Sequence, residues 1–262
     1  MPSQSRGLLP TKLHPRQTRP QTIARPRLVA QLEQCAALPL TVVLGPAGAG
    51  KSTAVVAWLE HTQLPVAWLS LDPSDDTPNR FLAYALAALQ TVEPRLDGDP
   101  SALLAAPTPD DLEALWADAI VIPLVEREAP LVLVLDDYHV ITDPRLHAAI
   151  AWLLDHGPSC LRLVLLSRSE PPLPLARARA RGALGHIGVE ELRFSFDEAR
   201  RFYVEVMQLR IDDEAVATLE QRTEGWPAGA QLAALSLRAR AETERVELPS
   251  GSDRLIADYL LA

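Results

Sequence analysis

Four short runs of apolar residues recur along the chain and constrain its fold more strongly than any other feature. Each run is continuous instead of alternating with polar residues, a pattern typical of parallel strands covered on both faces. Stretches with helix-start signals separate the runs, and this alternation predicts an α/β fold: a parallel sheet with helices on both faces. The four runs are LTVVLG (40–45), PVAWLSLD (65–72), LVLVLDD (131–137) and LRLVLLS (161–167).

The first run ends in a glycine-rich loop that leads into a predicted helix. The segment GPAGAGKST satisfies the phosphate-binding pattern G-x-x-x-x-G-K-[ST]. Glycines let backbone N–H groups turn toward phosphate oxygens, and the helix N-terminus adds the positive end of its dipole. Lys51 would reach the β- and γ-phosphates, and Ser52 would ligate Mg²⁺. We therefore predict a site for ATP or ADP with Mg²⁺, formed by Gly45, Pro46, Ala47, Gly48, Ala49, Gly50, Lys51, Ser52 and Thr53.

Paired acids end the third apolar run. An aspartate at the end of a buried strand beside a phosphate loop can hold Mg²⁺ together with the loop serine, which assigns Asp136 to the metal. The next residue, Asp137, could polarise the attacking water. The alternative is that Asp137 is only an acid in the turn that follows the strand.

The order of the motifs indicates the class of P-loop NTPase. A complete strand, PVAWLSLD, lies in sequence between the phosphate loop and Asp136, and with the paired acids this inserted strand favours the additional-strand ATPases. Arg168 ends the fourth run, at the sheet edge where ligands of α/β proteins bind. It could sense the γ-phosphate or assist hydrolysis. The alternative is a surface arginine beside Glu170.

Several helices carry start signals. A capping residue followed by proline suits the first helical turn, and Ser195 with Glu198 has the spacing of a capping box. Beyond residue 195 only helical patterns occur, including one over 252–262. We predict an N-terminal arm (1–30), a P-loop NTPase α/β domain (31–192) and a small all-helical lid domain (193–262). The predicted cap and proline pairs are Thr77 with Pro78, Thr108 with Pro109, and Asp143 with Pro144.

Composition narrows the range of partners. The net charge of −9 weighs against nucleic-acid binding, because phosphate neutralisation supplies most non-specific affinity. Residues 1–30 contain only basic charges and several prolines, which favours an arm docked on the domain over a DNA-binding tail. No run approaches the ~20 apolar residues of a membrane span. Two cysteines without a CxxC pair predict a cytoplasmic protein with neither disulfide framework nor zinc site.

Taken in order, the motifs resemble the N-terminal part of the large ATP-binding LuxR-type transcriptional regulators. Besides the phosphate loop, the resemblance is carried by LLPTKLHP, LVLVLDDYHVI, SRSEPPLPLARARARG, ELRFS and TEGWPAGAQLAALSL, and it runs from about Leu8 to Leu260. These MalT-like proteins belong to the STAND class of signal-transduction P-loop NTPases. The resemblance implies a module that binds and hydrolyses ATP as a switch.

The resemblance also implies site residues outside the phosphate loop. In the family a helical lid folds over the nucleotide and a Gly-x-Pro motif packs near adenine, so GWPAG nominates Pro227, beside Gly225 and Trp226. Arg25 and Arg27 of RPRL lie in the segment that lines the base and phosphate side of the pocket in such proteins. Without the resemblance, EGWPAG would indicate only the start of a helix, and Arg25 and Arg27 would be two solvent-exposed arginines on the helix that begins there.

Family members continue with a winged-helix piece, a helical-repeat sensor and a helix-turn-helix. Because the sequence ends at Ala262, we expect a module without the sensor and DNA-binding parts, and no direct nucleic-acid or membrane contact. We expect ADP to hold a closed resting form, ATP to favour an open, self-associating form, and slow hydrolysis to reset it. The alternatives are a stand-alone AAA-like ATPase and a module that binds nucleotide without hydrolysing it.

Overall fold

The computed structural model describes residues 8–16, 22–107 and 111–243 of the chain, with side chains as far as residue 239. The predicted pair Thr108 and Pro109 and the helix predicted over 252–262 lie outside the described residues. Within them, the prediction of a parallel sheet with helices, followed by an all-helical part, is confirmed.

Five strands form one sheet in the order β2-β3-β4-β1-β5, and every neighbouring pair is parallel. The first four strands coincide with the four apolar runs, because a strand buried on both faces needs apolar side chains at successive positions. The strands are β1 (Leu40–Leu44), β2 (Val66–Ser70), β3 (Leu131–Asp136), β4 (Leu161–Ser167) and β5 (Leu184–Ile187).

Helices connect the strands and continue beyond the sheet, and none of those in the described ranges is long and apolar enough to cross a membrane. A π-helical turn follows each of α5 and α10, at Ala117–Val121 and Phe202–Val206. The helices are α1 (Pro26–Ala36), α2 (Lys51–Leu59), α3 (Pro78–Gln90), α4 (Pro100–Ala105), α5 (Leu112–Trp116), α6 (Ile122–Leu124), α7 (Pro144–His156), α8 (Leu175–Ala180), α9 (Val189–Leu192), α10 (Phe196–Arg201), α11 (Asp213–Thr223) and α12 (Pro227–Thr243).

The predicted helix starts are largely confirmed. Asp143 caps α7 by accepting the backbone N–H of Arg145 at 2.9 Å, and Ser195 and Glu198 form the predicted capping box. Thr77 precedes α3 as predicted, but its side chain makes no capping hydrogen bond. Helix α5 begins at Leu112, where Asp111 is the cap.

The sequence does not predict β5. Its four residues, LGHI, alternate buried with partly or fully exposed side chains, so the continuous apolar signal is missing. Helix α1 packs closely on this strand: a Cβ added at Gly185 would lie 2.7 Å from the Cβ of Cys35. Only glycine allows that approach, and this long-range contact leaves no local pattern.

Successive residues of the central strands enter different cores, since their side chains point to opposite faces. Val42 packs in a cluster with Phe81 of α3, and the adjacent Val43 packs in a second cluster with Trp58 of α2. Both clusters consist of fully or almost fully buried side chains. The sheet is therefore covered on both faces, as predicted.

Helices α10, α11 and α12, which we call the helical domain, have a third apolar core of their own. Ile23, from the segment that precedes α1, is buried in this core. The N-terminal segment therefore packs against the helical domain although the two are far apart in sequence. The predicted boundaries at 30/31 and 192/193 stay predictions, and the first falls inside α1.

The beginning of the described chain docks through a buried ion pair on the turn that joins β2 to α3. Lys12 is 7% exposed, pairs with the buried carboxylate of Asp75, and lies 2.6 Å from Asp72 Oδ2. Arg80 also donates its Nε to Asp75, at 2.9 Å, and the Leu9 N–H donates to the hydroxyl of Tyr84 at 3.0 Å. This part of the arm lies along the domain, as the docked-arm interpretation expects.

Replacing Lys12 by Met tests the arm contact. We expect a loss of about 3 kcal/mol in the free energy of unfolding, because removing one partner leaves a buried carboxylate short of positive charge. Urea unfolding at pH 7 measures the loss. Arg95→Met is the matched control: Arg95 is 86% exposed in its ion pair with Glu93, so we expect almost no change in the free energy of unfolding. Equal losses in the two variants would contradict the account.

The same variant should change the acid stability. Burial alone would raise the pKa of Asp72, but hydrogen bonds from Lys12 and Ser74 and the charge of Lys12 lower it to about 2. A lowered folded-state pKa gives stability that is present above the unfolded pKa of about 3.9 and is lost as pH falls toward 2. In Lys12→Met the folded-state pKa of Asp72 should move back toward its unfolded value, so the loss of stability between pH 5 and 2, measured by urea unfolding, should be smaller than in the parent.

Candidate nucleotide site

The phosphate loop joins β1 to α2, as the motif requires. β1 lies between β4 and β5 in the sheet. Because the loop follows the last residue of β1, it lies at the carboxyl edge of the sheet, where ligands of open α/β sheets bind. Gly48 and Gly50 have φ values of +77° and +84°, in the left-handed region that favours glycine. α2 begins directly after them, at Lys51, and the backbone N–H groups of its first turn can receive an anion.

Lys51 folds back over the loop. Its Nζ donates to the carbonyl oxygens of Gly45 at 2.6 Å and Pro46 at 3.1 Å. The pKa of Lys51 is lowered, mainly by burial, and the positive charge of Arg168 lowers it further. The negative charges of Asp137 and Asp136 oppose this shift. The ammonium group therefore lies within electrostatic reach of all three side chains.

Asp136, the last residue of β3, contacts the start of α2. Its Oδ1 accepts hydrogen bonds from Ser52 Oγ and from the backbone N–H of Asp137, both at 3.0 Å. Burial and the charge of Asp137 raise the pKa of Asp136, while the Ser52 hydrogen bond lowers it. The structure thus brings the two predicted metal ligands together. No group of three His, Cys, Asp or Glu side chains in the described ranges could hold a metal ion, so a cation held by Ser52 and Asp136 would need water or phosphate oxygens as its other ligands.

Asp137 adopts a left-handed backbone conformation, with φ of +58°. Such conformations cost energy in residues other than glycine and cluster at functional sites. The Asp137 side chain is 39% exposed, and its Oδ1 lies 3.9 Å from Nδ1 of His139. That nitrogen is buried without a hydrogen-bond partner in the described part of the chain. The carboxylate is therefore open to solvent at the end of β3, as a water-activating group would need to be.

Arg168 follows β4 and is exposed. Burial is the main cause that lowers the pKa of Lys51 and of His139, and the positive charge of Arg168 adds to the effect in both. Arg168 therefore lies close enough to act electrostatically at the edge that carries Lys51 and Asp137.

The strand inserted between the two motif strands is β4, which ends at Ser167 just before Arg168. A strand thus lies between the motif strands, as the additional-strand interpretation expects. That interpretation identified the inserted strand as the run at 65–72 from its order along the chain, and this identification is wrong. The run forms β2, at the edge of the sheet. Order along the chain does not give order in a parallel sheet, because crossover connections can pass over neighbouring strands.

A cavity of about 530 Å³ adjoins the phosphate loop. Lys51 and Ser52 line it, whereas Asp136, Asp137 and Arg168 do not. Three separate parts of the chain form the walls: the phosphate loop with α2, the segment before and within α1, and the helical domain. Apart from the phosphate-loop residues, the lining includes Ile23, Arg25, Val29, Phe194, Phe202, Pro227, Ala228 and Gln231.

The first turn of α12 contacts the phosphate loop directly. The Ala228 N–H donates to the carbonyl oxygen of Gly48 at 3.1 Å. A Cβ added at Gly48 would lie only 2.6 Å from the Cβ of Ala228 and 3.2 Å from the ring of Trp226, and one added at Gly50 would lie 3.6 Å from Pro227 Cγ. Pro227 is thus at the phosphate-loop side of the cavity.

Arg25 and Arg27 make similar contacts but differ in their surroundings. Nη2 of each donates to the carbonyl oxygens of Glu191 and Arg193 and to Oε2 of Glu198. The Arg25 side chain is 9% exposed and lines the cavity, whereas that of Arg27 is 47% exposed and does not. A nucleotide contact by Arg27 stays a prediction.

The cavity suits a nucleotide in size and in lining. Its volume lies within the range of about 300–1,000 Å³ that is typical of small-molecule sites. Glycines and Lys51 border one part, where a phosphate chain would find N–H donors and positive charge. Phe194 and Phe202, with ring centroids 5.5 Å apart, contribute an aromatic wall for a flat, apolar group such as a base.

Sequence reasoning missed Phe194, Phe202 and Ile23 as lining residues. In the segment RFSFDE only the capping box and the family resemblance of ELRFS were used, although the aromatic side chain of Phe194 offered a further signal. Phe202 begins the π-helical turn after α10, a feature that helical periodicity does not predict and that often occurs at functional sites. Ile23 reaches the cavity only because it packs in the core of the helical domain.

Residues 23–166 match the model of the AAA ATPase domain family. This chain belongs to that family. The match spans β1 to β4, with both the phosphate loop and Asp136, and an ATPase domain implies nucleotide binding. The chain is also homologous to the N-terminal part of MalT. It is 35% identical over 257 residues to the HTH-type transcriptional regulator MalT of Yersinia enterocolitica and 36% identical to that of Serratia proteamaculans.

These alignments cover 97% of this chain and 28% of each regulator, so the chain spans little more than a quarter of their length. Over that length it is similar to the N-terminal part of these regulators. Among solved structures, the fold is shared with the STAND protein with a tetratricopeptide repeat sensor from Pyrococcus horikoshii (TM-score 0.55, 13% identity, 91% of this chain and 32% of that one). It is shared equally with the Walker-type ATPase of Pyrococcus abyssi (TM-score 0.55, 16% identity, 89% and 78%).

Two glycine substitutions in the family's phosphate loop test the contact with α12. Alanine at Gly48 or Gly50 meets the same left-handed strain, about 1–2 kcal/mol. Only at Gly48 does the new Cβ clash with Ala228, and overpacking adds about 1–3 kcal/mol. We expect Gly48→Ala to unfold at lower urea and to expose α12 to protease, with Gly50→Ala as the control. Equal protease sensitivity of the two variants would refute the contact.

Proposed function

We propose that this chain is the ATP-binding and slowly ATP-hydrolysing switch module of a MalT-like transcriptional regulator. One observation carries the proposal: the phosphate loop and the helical domain border the same cavity and are joined by the hydrogen bond from Ala228 to Gly48. A nucleotide bound there would contact both parts, and could change how they pack on each other.

We assign the binding of the phosphates to the loop. The N–H groups of the loop and of the first turn of α2 would donate hydrogen bonds to the phosphate oxygens. The ammonium group of Lys51 would leave the loop carbonyl oxygens and bind the β- and γ-phosphates instead. Ser52 and Asp136 would hold Mg²⁺, whose positive charge stabilises negative charge on the phosphates. Arg25 would contact the remainder of the nucleotide from the α1 side, and Pro227, at the start of α12, would contact the nucleotide from the phosphate-loop side of the cavity.

The proposed hydrolytic group is Asp137. Its exposed carboxylate could accept a proton from a water molecule at the end of β3, beside Lys51. Arg168, at the end of the neighbouring β4, would offset negative charge near the γ-phosphate. The same groups could also distinguish ATP from ADP without hydrolysis, which is the alternative function of a pure nucleotide-binding module.

ATP and ADP would act as a switch through different affinities for two arrangements of the helical domain. Reversing a population from 1:99 to 99:1 requires a difference of ~5.5 kcal/mol in binding free energy. We propose that ADP favours a closed resting form and ATP an open form that self-associates. The relatives named as transcriptional regulators support a cytoplasmic role in transcription regulation, with DNA contacts made outside these residues.

Replacing Lys51 by Ala tests nucleotide binding. We expect at least about 100-fold weaker binding of ATP and ADP, since charge-assisted hydrogen bonds to the phosphates are lost. Titration with each nucleotide by isothermal calorimetry measures it. Arg177→Ala, whose ion pair with Asp155 lies on the surface, is the control and should bind as the parent does. Unchanged binding in Lys51→Ala would remove the phosphate loop from the site.

Replacing Asp137 by Asn separates hydrolysis from binding. A positioned general base contributes about 10²–10⁴-fold, so phosphate release should fall by that range while ATP affinity stays within about threefold. A parent protein that binds ATP but releases no phosphate would favour the non-hydrolysing alternative. Parallel losses of binding and hydrolysis in the variant would show that Asp137 is a binding residue instead.

A further inference from the structure

Glu198 is a buried acid that links the helical domain to the start of α1. It is 3% exposed, and its Oε2 accepts hydrogen bonds from Nη2 of Arg25 at 3.1 Å and of Arg27 at 3.3 Å. The same oxygen accepts the backbone N–H of Ser195 at 3.0 Å. One carboxylate thus serves both as the helix cap of α10 and as the partner of two arginines from another part of the chain.

Arg25 connects this carboxylate to the cavity. Its guanidinium lies 5.1 Å from the ring centroid of Phe194, and both residues line the cavity. Nη2 of Arg25 also donates to the carbonyl oxygen of Arg193 at 2.7 Å. Its Nε is buried and finds no hydrogen-bond partner in the described ranges. Arg25 therefore has an unpaired buried N–H donor, Nε, at the wall of the cavity, while its Nη2 is held by Glu198 and by the carbonyl oxygen of Arg193.

The charges of the pair depend on each other. Burial lowers the pKa of Arg25, and the hydrogen bond and charge of Glu198 oppose that effect. Burial alone would raise the pKa of Glu198, but hydrogen bonds from Arg25 and Ser195 and the charges of both arginines lower it below its usual value. Without Glu198, the buried guanidinium of Arg25 would lack a counter-charge, and keeping Arg25 in this position would destabilise the folded protein.

We infer that Glu198 is a positioning residue that fixes Arg25 at the wall of the nucleotide cavity, ties the helical domain to α1, and thereby sets how long nucleotide stays bound. The inference rests on the proposed function in one respect, that the cavity binds ATP or ADP. The tie itself does not need a nucleotide. It is a second connection between the two parts of the chain, separate from the contact of α12 with the phosphate loop.

Glu198→Gln isolates the charge. Glutamine keeps an oxygen that can accept the N–H of Ser195, so the cap of α10 is retained, while the negative charge opposite Arg25 is lost. We expect the dissociation of a fluorescent ADP analogue, followed by stopped flow, to be at least about tenfold faster, because losing one partner of a buried charge pair acts mainly on dissociation. Dissociation at the parent rate would overturn the inference.

Ser195→Ala is the matched control. It removes the hydroxyl that accepts the N–H of Glu198 but leaves the carboxylate facing Arg25. This variant should have a lower Tm than the parent and an unchanged dissociation rate. Equal acceleration in Ser195→Ala and Glu198→Gln would mean that loosening of α10, rather than loss of the charge pair, releases the nucleotide, and would overturn the inference.

A double-mutant cycle tests whether Arg25 is the group through which Glu198 acts. If the pair works as a unit, Arg25→Gln with Glu198→Gln should release the analogue no faster than Arg25→Gln alone. Arg27→Gln should have the smaller effect of the two arginine variants, since that side chain is half exposed. Fully additive accelerations from Arg25→Gln and Glu198→Gln would refute the coupling.

Hydrogen exchange without nucleotide separates this inference from the proposed function. Glu198→Gln should speed exchange of the amides of α11 and α12, and Ser195→Ala should affect α10 alone. If the parent protein fails to bind the analogue, the proposed function fails, but hydrogen exchange still shows whether Glu198 connects the helical domain to α1. If the parent binds and Glu198→Gln changes neither dissociation nor exchange, only the inference fails.

Discussion

The close approach of α12 to the phosphate loop determines the shape of the site. A backbone hydrogen bond from Ala228 to Gly48 joins them, and the approach is possible because Gly48 has no side chain. The N–H groups of the phosphate loop are therefore available to phosphates, while the carbonyl group of Gly48 binds the helical domain. Any ligand that alters the loop would act directly on the first turn of α12, without an intervening element.

The N-terminal segment is the second part of the chain on which this arrangement depends. Ile23 packs in the core of the helical domain, Arg25 reaches Glu198, and α1 then packs against the sheet through the cluster that contains Leu28 and Leu32. The cavity consequently needs the sheet, the N-terminal segment and the helical domain at once. Such a site is suited to couple nucleotide binding to domain packing, because the three parts of the chain that line the cavity also contact one another.

The sequence predicts those features that rest on local physics. Four strands follow from continuous apolar runs, the phosphate loop follows from a strict spacing of glycines and lysine, and the cap at Asp143 and the Ser195–Glu198 box follow from short-range hydrogen bonds. What it does not predict depends on distant contacts. The place of β4 between the motif strands, the strand β5 with Gly185 under α1, and the positions of Phe194 and Phe202 all result from crossovers and interdomain packing. The roles assigned to Asp137, Arg168 and Pro227 stay predictions.

The nucleotide content of the purified protein tests the central claim most directly. The protein would be denatured, and the released nucleotides identified and counted by chromatography. A cavity bordered by both the phosphate loop and α12 predicts about one adenine nucleotide per chain, mainly ADP, retained through gel filtration. A chain that carries no nucleotide, and that also fails to take up added ATP or ADP in calorimetry, would contradict the account.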